Sequence, residues 1–232
     1  KIYYEQVIAR LAPKAKKIIT VSHFSKSQLV NILGIPEELI KVIYNGVDSH
    51  FLQNKAEYES IRPYFLYVGN RRRNKNVPAM LTAFAKSKIP NDFMFFLSGD
   101  TDPEMETLIL SLGIQKRVRF LGFIEEEDLP KLYKGAHATL FASLMEGFGL
   151  PILESMASGT PVLTSNTSSL PEVAGGAALC VDPTDISAMA SGIEKLVNEE
   201  EFYVDCMVKG LARAQEFSWE KTAAETWETI LG

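Results

Sequence analysis

Two glutamates flank a glycine-containing turn in the segment EGFGLPILE, residues 146–154, and could form part of a site for a phosphorylated, hydroxylated ligand. The two glycines let the backbone approach a ligand closely, and Pro151 suits the first turn of a helix. The backbone N–H groups of residues 148–150 would then lie free at a helix N-terminus, which favours an anion such as a diphosphate. Glu146 and Glu154 would repel phosphate, so we expect them to bind hydroxyl groups of a sugar ring and a ribose. The alternative is structural, because a glutamate in the first turn stabilises a helix without any ligand.

A second loop places four positive charges within five residues of an otherwise acidic chain. Arg71, Arg72, Arg73 and Lys75 follow a predicted strand, and a predicted helix follows them. Cations at the mouth of a parallel sheet suggest neutralisation of phosphate groups. A solvated basic loop is the alternative. Two loops suited to anions, each after a strand of one sheet, support each other's assignment.

The elements that must position both loops form a regular series, because residues 64–198 alternate strand and helix six times. The predicted strands are short, apolar and rich in β-branched or aromatic residues, and amphipathic stretches separate them. Strands that are apolar on both faces predict an α/β fold, with a doubly wound parallel sheet of about six strands flanked by helices. Ligands of such sheets bind at the carboxyl ends of the strands. The predicted strands are Tyr64–Val68, Phe93–Ser98, Val118–Gly122, Ala138–Ala142, Thr160–Thr164 and Ala178–Val181.

The two ends of the chain differ from this series. Near the start we predict a strand at Ile18–Val21 and a helix capped by Ser25. Near the end, Trp219 and Trp227 share one face of a short helix, which indicates docking onto a larger body. Because the chain opens at Lys1 in helix-like sequence, we expect a fragment of a longer protein. The predicted segments are the tail of an N-terminal domain at residues 1–44, a linker at 45–63, a ligand-binding domain at 64–216 and a helix packing toward the N-terminal domain at 217–232.

Bulk composition excludes several classes of protein. The 46% hydrophobic and 23% charged residues are typical of a soluble globular domain, and the net charge of −5 argues against a nucleic-acid partner. Cys180 and Cys206 have no CxxC partner, and the three histidines lack metal-ligand spacing. No apolar run approaches the ~20 residues that cross a bilayer. The segment Asp100-Thr101-Asp102 could imitate a metal-binding DxD motif, but Thr101 or Asp102 before a proline is better explained as a helix cap.

Taken together, the motifs resemble the C-terminal domain of family 4 glycosyltransferases, which have the two-domain GT-B fold. The resemblance rests first on EGFGLPILE and on ASGTPV, residues 157–162, shortly after it. It covers nearly the whole chain, and bacterial mannosyltransferase-like enzymes are the most similar variety. It implies that the sheet is Rossmann-like and forms the C-terminal half of GT-B. Further matches, in the family's order, are ITVS with FSK within residues 19–26, VIYNGVD at 42–48, VRFLG at 118–122 and LPEV at 170–173.

The resemblance implies a role for each matching residue. Lys75 would bind the donor diphosphate, Glu146 would contact hydroxyls of the transferred sugar, and Glu154 would contact hydroxyls of the ribose. The other candidates would line the donor pocket: Phe148, Gly149 and Leu150 through their backbones, and Phe123 and Ile124 beside the nucleobase.

This chain departs from the family pattern in the basic loop. Many members place arginine directly after the Val-Gly pair that ends at Gly69, whereas this chain has Asn70 there. Both residues stay in the predicted donor-binding set. Arg71 or Arg72 would supply the missing charge beside Lys75, and the sequence leaves open which of the two points inward.

The resemblance further implies a hexosyltransferase that retains the anomeric configuration through front-face attack and requires no metal or other cofactor. It would move a hexose, with mannose as the first choice, from GDP-mannose or a UDP-sugar to a glycan or lipid-linked acceptor. The acceptor site would belong to an N-terminal domain that is mostly absent from this chain. We expect a cytoplasmic protein, with peripheral association of the whole protein at the inner face of the membrane as a further expectation.

Two other functions are compatible with such a sheet. A non-catalytic nucleotide-sugar-binding module would share the fold and bind its ligand without turnover. A nucleotide-dependent oxidoreductase would also use a Rossmann-like sheet, but the sequence lacks GxGxxG between a first strand and helix.

Overall fold

Eight short strands form two parallel sheets in the computed structural model, which describes residues 11–231. A small sheet pairs the first two strands, and a six-stranded sheet contains the others. The strands are β1 (Ile18–Thr20), β2 (Ile40–Val42), β3 (Tyr64–Tyr67), β4 (Met94–Leu97), β5 (Val118–Phe120), β6 (Ala138–Phe141), β7 (Val162–Ser165) and β8 (Leu179–Val181).

The six-stranded sheet has the order β5-β4-β3-β6-β7-β8, with every pair parallel. This is a doubly wound, Rossmann-like arrangement, so the predicted fold class is confirmed. The order reverses between β3 and β6, and ligands of such sheets bind at the crevice where the order reverses. The basic loop follows β3 and the glycine turn follows β6, so both leave the sheet at this crevice.

Helices cover both faces of the sheet. Phe65 and Ala138 are paired in register, as are Leu66 and Thr139, and successive residues of a strand point to opposite faces. The ring of Phe65 packs on Phe84, whereas Thr139 accepts a hydrogen bond from a buried serine on a different helix. The helices are α1 (His23–Leu33), α2 (Ser49–Gln53), α3 (Val77–Lys86), α4 (Pro103–Ser111), α5 (Leu129–Gly135), α6 (Leu150–Ala157), α7 (Leu170–Ala174), α8 (Ile186–Asn198), α9 (Glu200–Ala214) and α10 (Trp219–Leu231).

The last helix, α10, returns to the beginning of the described chain. Thr222 donates a hydrogen bond to the carbonyl of Tyr44 at 2.7 Å, and Lys41 lies 3.5 Å from a carboxylate of Glu228. Val47 and Ser218 form a parallel bridge where the two chain segments cross. The helix therefore contacts the first segment, while the predicted domain boundaries at 44, 63 and 216 stay predictions.

Element ends differ from the predictions in places. Helix α1 begins at His23 and its cap is Ser22, whose hydroxyl accepts from the N–H of Ser25 at 3.0 Å, so the prediction that Ser25 caps the helix is wrong. The strand predicted from Thr160 starts two residues later, at Val162, and the hydroxyl of Thr160 donates to the carbonyl of Tyr133 instead. None of the helices described has the length and apolar character needed to cross a membrane.

Candidate functional site

Lys75 and Glu146 meet at the crevice between β3 and β6. Lys75 ends the short 3-10 turn Arg73–Lys75 after β3, and Glu146 lies in the loop after β6. Lys75 Nζ is 2.8 Å from Glu146 Oε1, and the two side chains are only 17% and 12% exposed. Lys75 Nζ also lies 5.3 Å from the centre of the Phe141 ring. A largely desolvated ion pair therefore joins the two loops that the sequence singled out.

Two asparagines that the sequence analysis missed tie these loops together. The N–H of Leu144 donates to the carbonyl of Asn74 at 2.7 Å, and the amide of Asn74 donates to the carbonyl of Met145 at 3.1 Å. Asn76 adopts a left-handed φ of 59°, which asparagine tolerates, and its amide donates to the carbonyl of Ala142 at 3.0 Å. The side chains of Asn74 and Asn76 thus fix the position of Lys75 relative to the loop after β6.

The glycine turn leads into the N-terminus of α6. Gly149 occupies the N-cap position with φ 114°, and a Cβ there would lie 2.6 Å from Leu170 Cδ2, so any larger residue would be strained. Within the part of the chain described, the backbone N–H groups of Phe148, Gly149 and Leu150 donate to no protein acceptor. Three free donors and a positive helix end form an environment suited to an anion.

Glu154 lies one turn further along α6, away from the ion pair. The Tyr133 hydroxyl donates to Glu154 Oε2 at 2.8 Å. Burial raises the pKa of Glu154, and the hydrogen bond from Tyr133 opposes that shift. Burial also raises the pKa of Tyr133 well above its usual value, so this phenol stays protonated and acts as the donor. No local sequence pattern predicts this contact, since 21 residues separate the partners.

The arginines of the basic loop point in different directions. The Arg71 guanidinium donates to the carbonyl of Ser98 at 2.9 Å, lies 3.4 Å from a carboxylate oxygen of Asp102 and stacks over Phe120 at 5.4 Å. It is therefore held toward the β4 and β5 side of the crevice. Arg72 is exposed, and no ion pair of its side chain occurs among residues 11–231. Which of the two contacts a diphosphate stays open.

Gly69 and Asn70 shape the start of the basic loop. Gly69 has φ 149°, its N–H donates to the hydroxyl of Ser98 at 2.9 Å, and that hydroxyl donates back to its carbonyl at 3.1 Å. Asn70 is exposed, and its side-chain oxygen accepts from the N–H of Arg72 at 3.1 Å. The contacts of Gly69 and Asn70 within the protein thus shape the loop. Their contact with a donor stays a prediction.

Phe123 and Ile124 follow β5 at the same carboxyl edge of the sheet. Phe123 is 85% exposed, which is unusual for a phenylalanine beside a cleft, and Ile124 is partly buried. A cleft of about 790 Å³ begins one residue further on, and its lining includes Glu125, Glu126 and Glu127. Neither Lys75 nor Glu146 lines this cleft, so the carboxylates after β5 and the ion pair occupy different parts of the sheet edge.

Comparison with known proteins identifies the family. The model described as "Glycosyl transferases group 1" matches residues 49–211, and the model described as "Glycosyltransferase Family 4" matches residues 1–51. O-antigen chain mannosyltransferase B of Escherichia coli is 33% identical over 97% of this chain and 62% of its own length. O-antigen chain mannosyltransferase RfbU of Salmonella typhimurium is 32% identical over 84% of this chain and 55% of its own length. The chain thus spans little more than half the length of these relatives.

Solved structures agree on the fold. Sucrose-phosphate synthase from Thermosynechococcus elongatus superposes with a TM-score of 0.83 and 25% identity over 97% of this chain and 60% of its own. HepE of Anabaena, solved in complex with UDP and glucose, superposes with a TM-score of 0.86 and 23% identity over 97% of this chain and 66% of its own. The chain is therefore a member of the group 1 family of glycosyl transferases and has the GT-B fold.

Proposed function

We propose that this chain is the donor-binding part of a retaining hexosyltransferase that uses a nucleotide-diphosphate sugar. One observation carries the proposal: the Lys75–Glu146 ion pair lies in the loops that follow β3 and β6, and the free N–H groups of residues 148–150 follow Glu146 directly. A cation and a helix N-terminus match a diphosphate. The adjacent carboxylate is an acceptor for hydroxyl groups of the sugar.

In the proposed reaction, the bond between the anomeric carbon and the donor diphosphate breaks, and negative charge develops on the departing diphosphate. Lys75, an arginine of the basic loop and the N-terminus of α6 would stabilise that charge in place before reaction. These groups remove the need for a metal in the proposal, and it includes no other cofactor. Following the family resemblance, we assign attack to the acceptor on the same face as the leaving group, and we assign Glu146 to the sugar hydroxyls and not to a covalent intermediate.

Mannose is the proposed hexose and guanine the proposed base. Relatives at 33% and 32% identity are named mannosyltransferases, which supports mannose. Guanine is proposed on the resemblance to mannosyltransferase-like enzymes alone. A UDP-sugar is the competing donor.

The acceptor is proposed to be a glycan or a lipid-linked glycan. We place its site, and any group that accepts its proton, in the part of such relatives' length that this chain does not cover. A lipid-linked acceptor would bring the whole protein to the cytoplasmic face of a membrane by peripheral association.

Calorimetric titration of the purified protein with GDP, UDP and ADP tests the proposal. We expect GDP to bind most tightly and Lys75→Ala to weaken that binding. Arg73→Ala is the control variant, because it removes one exposed positive charge from the same turn. Absence of binding by all three nucleotides would refute the proposal. Binding without hexose transfer to any glycan acceptor by the complete protein, both before and after Glu146→Ala, would instead indicate a non-catalytic module.

A further inference from the structure

Serine hydroxyls hold three consecutive carbonyls of the glycine turn. Ser169 donates to the carbonyls of residues 146 and 148 at 3.0 Å and 2.9 Å. The carbonyl between them, that of Gly147, accepts from Ser22 at 2.7 Å and from Ser25 at 3.1 Å. Ser22 and Ser169 have no exposed surface. We call Ser22, Ser25 and Ser169 the serine clamp.

The serine clamp fixes the direction of the turn's N–H groups as well. In a trans peptide unit the C=O and the N–H of the next residue point in opposite directions. Each carbonyl held by a serine therefore directs the following N–H, at residues 147, 148 and 149, away from the clamp. The N–H groups of Phe148 and Gly149 have no acceptor within residues 11–231, so the clamp presents them for an external anion.

Two members of the clamp come from a distant part of the chain. Ser22 and Ser25 lie 125 and 122 residues before Gly147, at the N-terminus of α1. Glu172 holds that helix end in place: its carboxylate accepts from the backbone N–H of His23 at 2.7 Å and of Phe24 at 3.2 Å. A carboxylate at a helix N-terminus is favourable, so the position of α1 is specified independently of the two serines.

Tyr44 completes this arrangement. Its hydroxyl donates to Glu172 at 2.8 Å, and burial together with that hydrogen bond raises the pKa of Tyr44 to about 12. The phenol therefore stays a donor throughout the neutral range. The first segment of the chain is thus attached to the glycine turn and to α7 by separate sets of hydrogen bonds.

We propose that Ser22 and Ser25 are positioning residues for donor binding, which orient the Phe148 peptide N–H toward the diphosphate. This inference rests on the proposed function, because it assigns the anion at this turn to the donor. It adds that residues outside the donor-binding domain complete its phosphate site. If the serines only attached α1 to the turn, replacing them would lower the stability of the fold but would not selectively lower the affinity for phosphorylated ligands.

Ser25 offers the cleaner test, because Ser22 also caps α1. Ser25→Ala removes one hydroxyl from the turn, and Ser25→Thr keeps it. Ser27→Ala is the matched control, since its hydroxyl donates to the carbonyl of Phe24 within α1 and does not contact the turn. Ser22→Ala removes both the donor to Gly147 and the cap of α1, so it is read only together with its effect on stability. Each protein is titrated with the nucleoside diphosphate that the wild type binds and with the matching nucleoside, and folding is checked by circular dichroism.

We expect Ser25→Ala to weaken nucleoside diphosphate binding by roughly two- to tenfold, which corresponds to the loss of one hydrogen bond. Nucleoside affinity should stay unchanged, and Ser25→Thr and Ser27→Ala should bind like the wild type. Equal affinity of Ser25→Ala and Ser27→Ala for the diphosphate, or an equal loss for the nucleoside, would overturn the inference while leaving the proposed function intact. A wild-type protein that binds no nucleoside diphosphate would refute the proposed function itself.

Discussion

Replacement of Lys75 by alanine should show how much this residue contributes to folding stability and how much it contributes to binding of the diphosphate. The change removes one partner of an ion pair with an Nζ–Oε1 distance of 2.8 Å and side-chain exposures of 17% and 12%. Exposed pairs contribute about 0–1 kcal/mol, whereas removal of one partner of a fully buried pair costs about 3–5 kcal/mol. Because a small part of each side chain still reaches solvent, we expect the free energy of unfolding to fall by about 1–3 kcal/mol.

The effect on ligands should be larger and should depend on the phosphates. A hydrogen bond between charged groups contributes about 1.5–3 kcal/mol, which corresponds to about a 10- to 150-fold loss of GDP affinity. Charge that develops in the transition state adds to this, and loss of one preorganised donor costs about 2–4 kcal/mol, or about 30- to 900-fold in kcat. Guanosine, which lacks phosphates, should bind the variant as it binds the wild type.

The assay combines calorimetry with GDP and guanosine, urea denaturation, and hexose transfer by the complete protein. Arg73→Ala controls for net charge, because Arg73 is exposed in the same turn. Lys75→Ala combined with Glu146→Gln should recover most of the lost stability, since no unpaired carboxylate remains, but it should not recover GDP affinity. If Lys75→Ala and Arg73→Ala bound GDP equally well, the assignment of Lys75 to the diphosphate would be wrong.

Three further predictions concern the same region. Glu154→Gln should stabilise the protein at neutral pH, because burial raises the folded-state pKa of Glu154, and the wild type loses stability as pH rises from the unfolded-state to the folded-state pKa. Denaturation measured across that pH range should therefore show a flatter stability profile for the variant. The variant should also lose roughly tenfold in GDP affinity through the lost contact with the ribose. Tyr133→Phe should lower the free energy of unfolding by about 1–3 kcal/mol, measured with urea at neutral pH, because it leaves the buried carboxylate without its donor. Gly149→Ala should cost about 2–4 kcal/mol through its positive φ and the contact with Leu170, whereas Gly113→Ala, which has a positive φ but open space, should cost only about 1 kcal/mol in the same denaturation experiment.

The sheet could be predicted from the sequence because its signals are local. Apolar runs such as residues 64–67 and 138–141 specify buried parallel strands, and the rule that ligands bind at carboxyl ends places the loops after them together. Topology therefore predicts that the loops carrying Lys75 and Glu146 lie side by side, but it does not predict the ion pair between the two side chains.

The side-chain contacts that complete the site are not local and could not be predicted. Asn74 and Asn76 act on a loop about 70 residues away, and Tyr133 reaches Glu154 from another helix. The sequence predicts Ser25 as the cap of α1, although Ser22, three residues earlier, is an equally suitable residue type. The extended backbone of Ser22, with φ −159°, and the contact of both hydroxyls with the glycine turn decide the choice only in the folded chain.

The crossing of Val47 and Ser218 has a mechanical consequence. The first segment is connected to the six-stranded sheet covalently through the stretch after Tyr44, and α10 attaches to it a second time. The two connections run side by side, and the N–H of Val47 donates to the carbonyl of Phe217. The backbone of Trp219 lies so close to Gly46 that a Cβ added to Gly46 would be 2.2 Å from the Trp219 nitrogen. Together with the hydrogen bonds that Gly147 and Glu172 accept from residues 22–25, these two adjacent connections hold the first segment against the rest of the structure. A Cβ at position 46 would force the two crossing segments apart, so any replacement of Gly46 should weaken both connections at once.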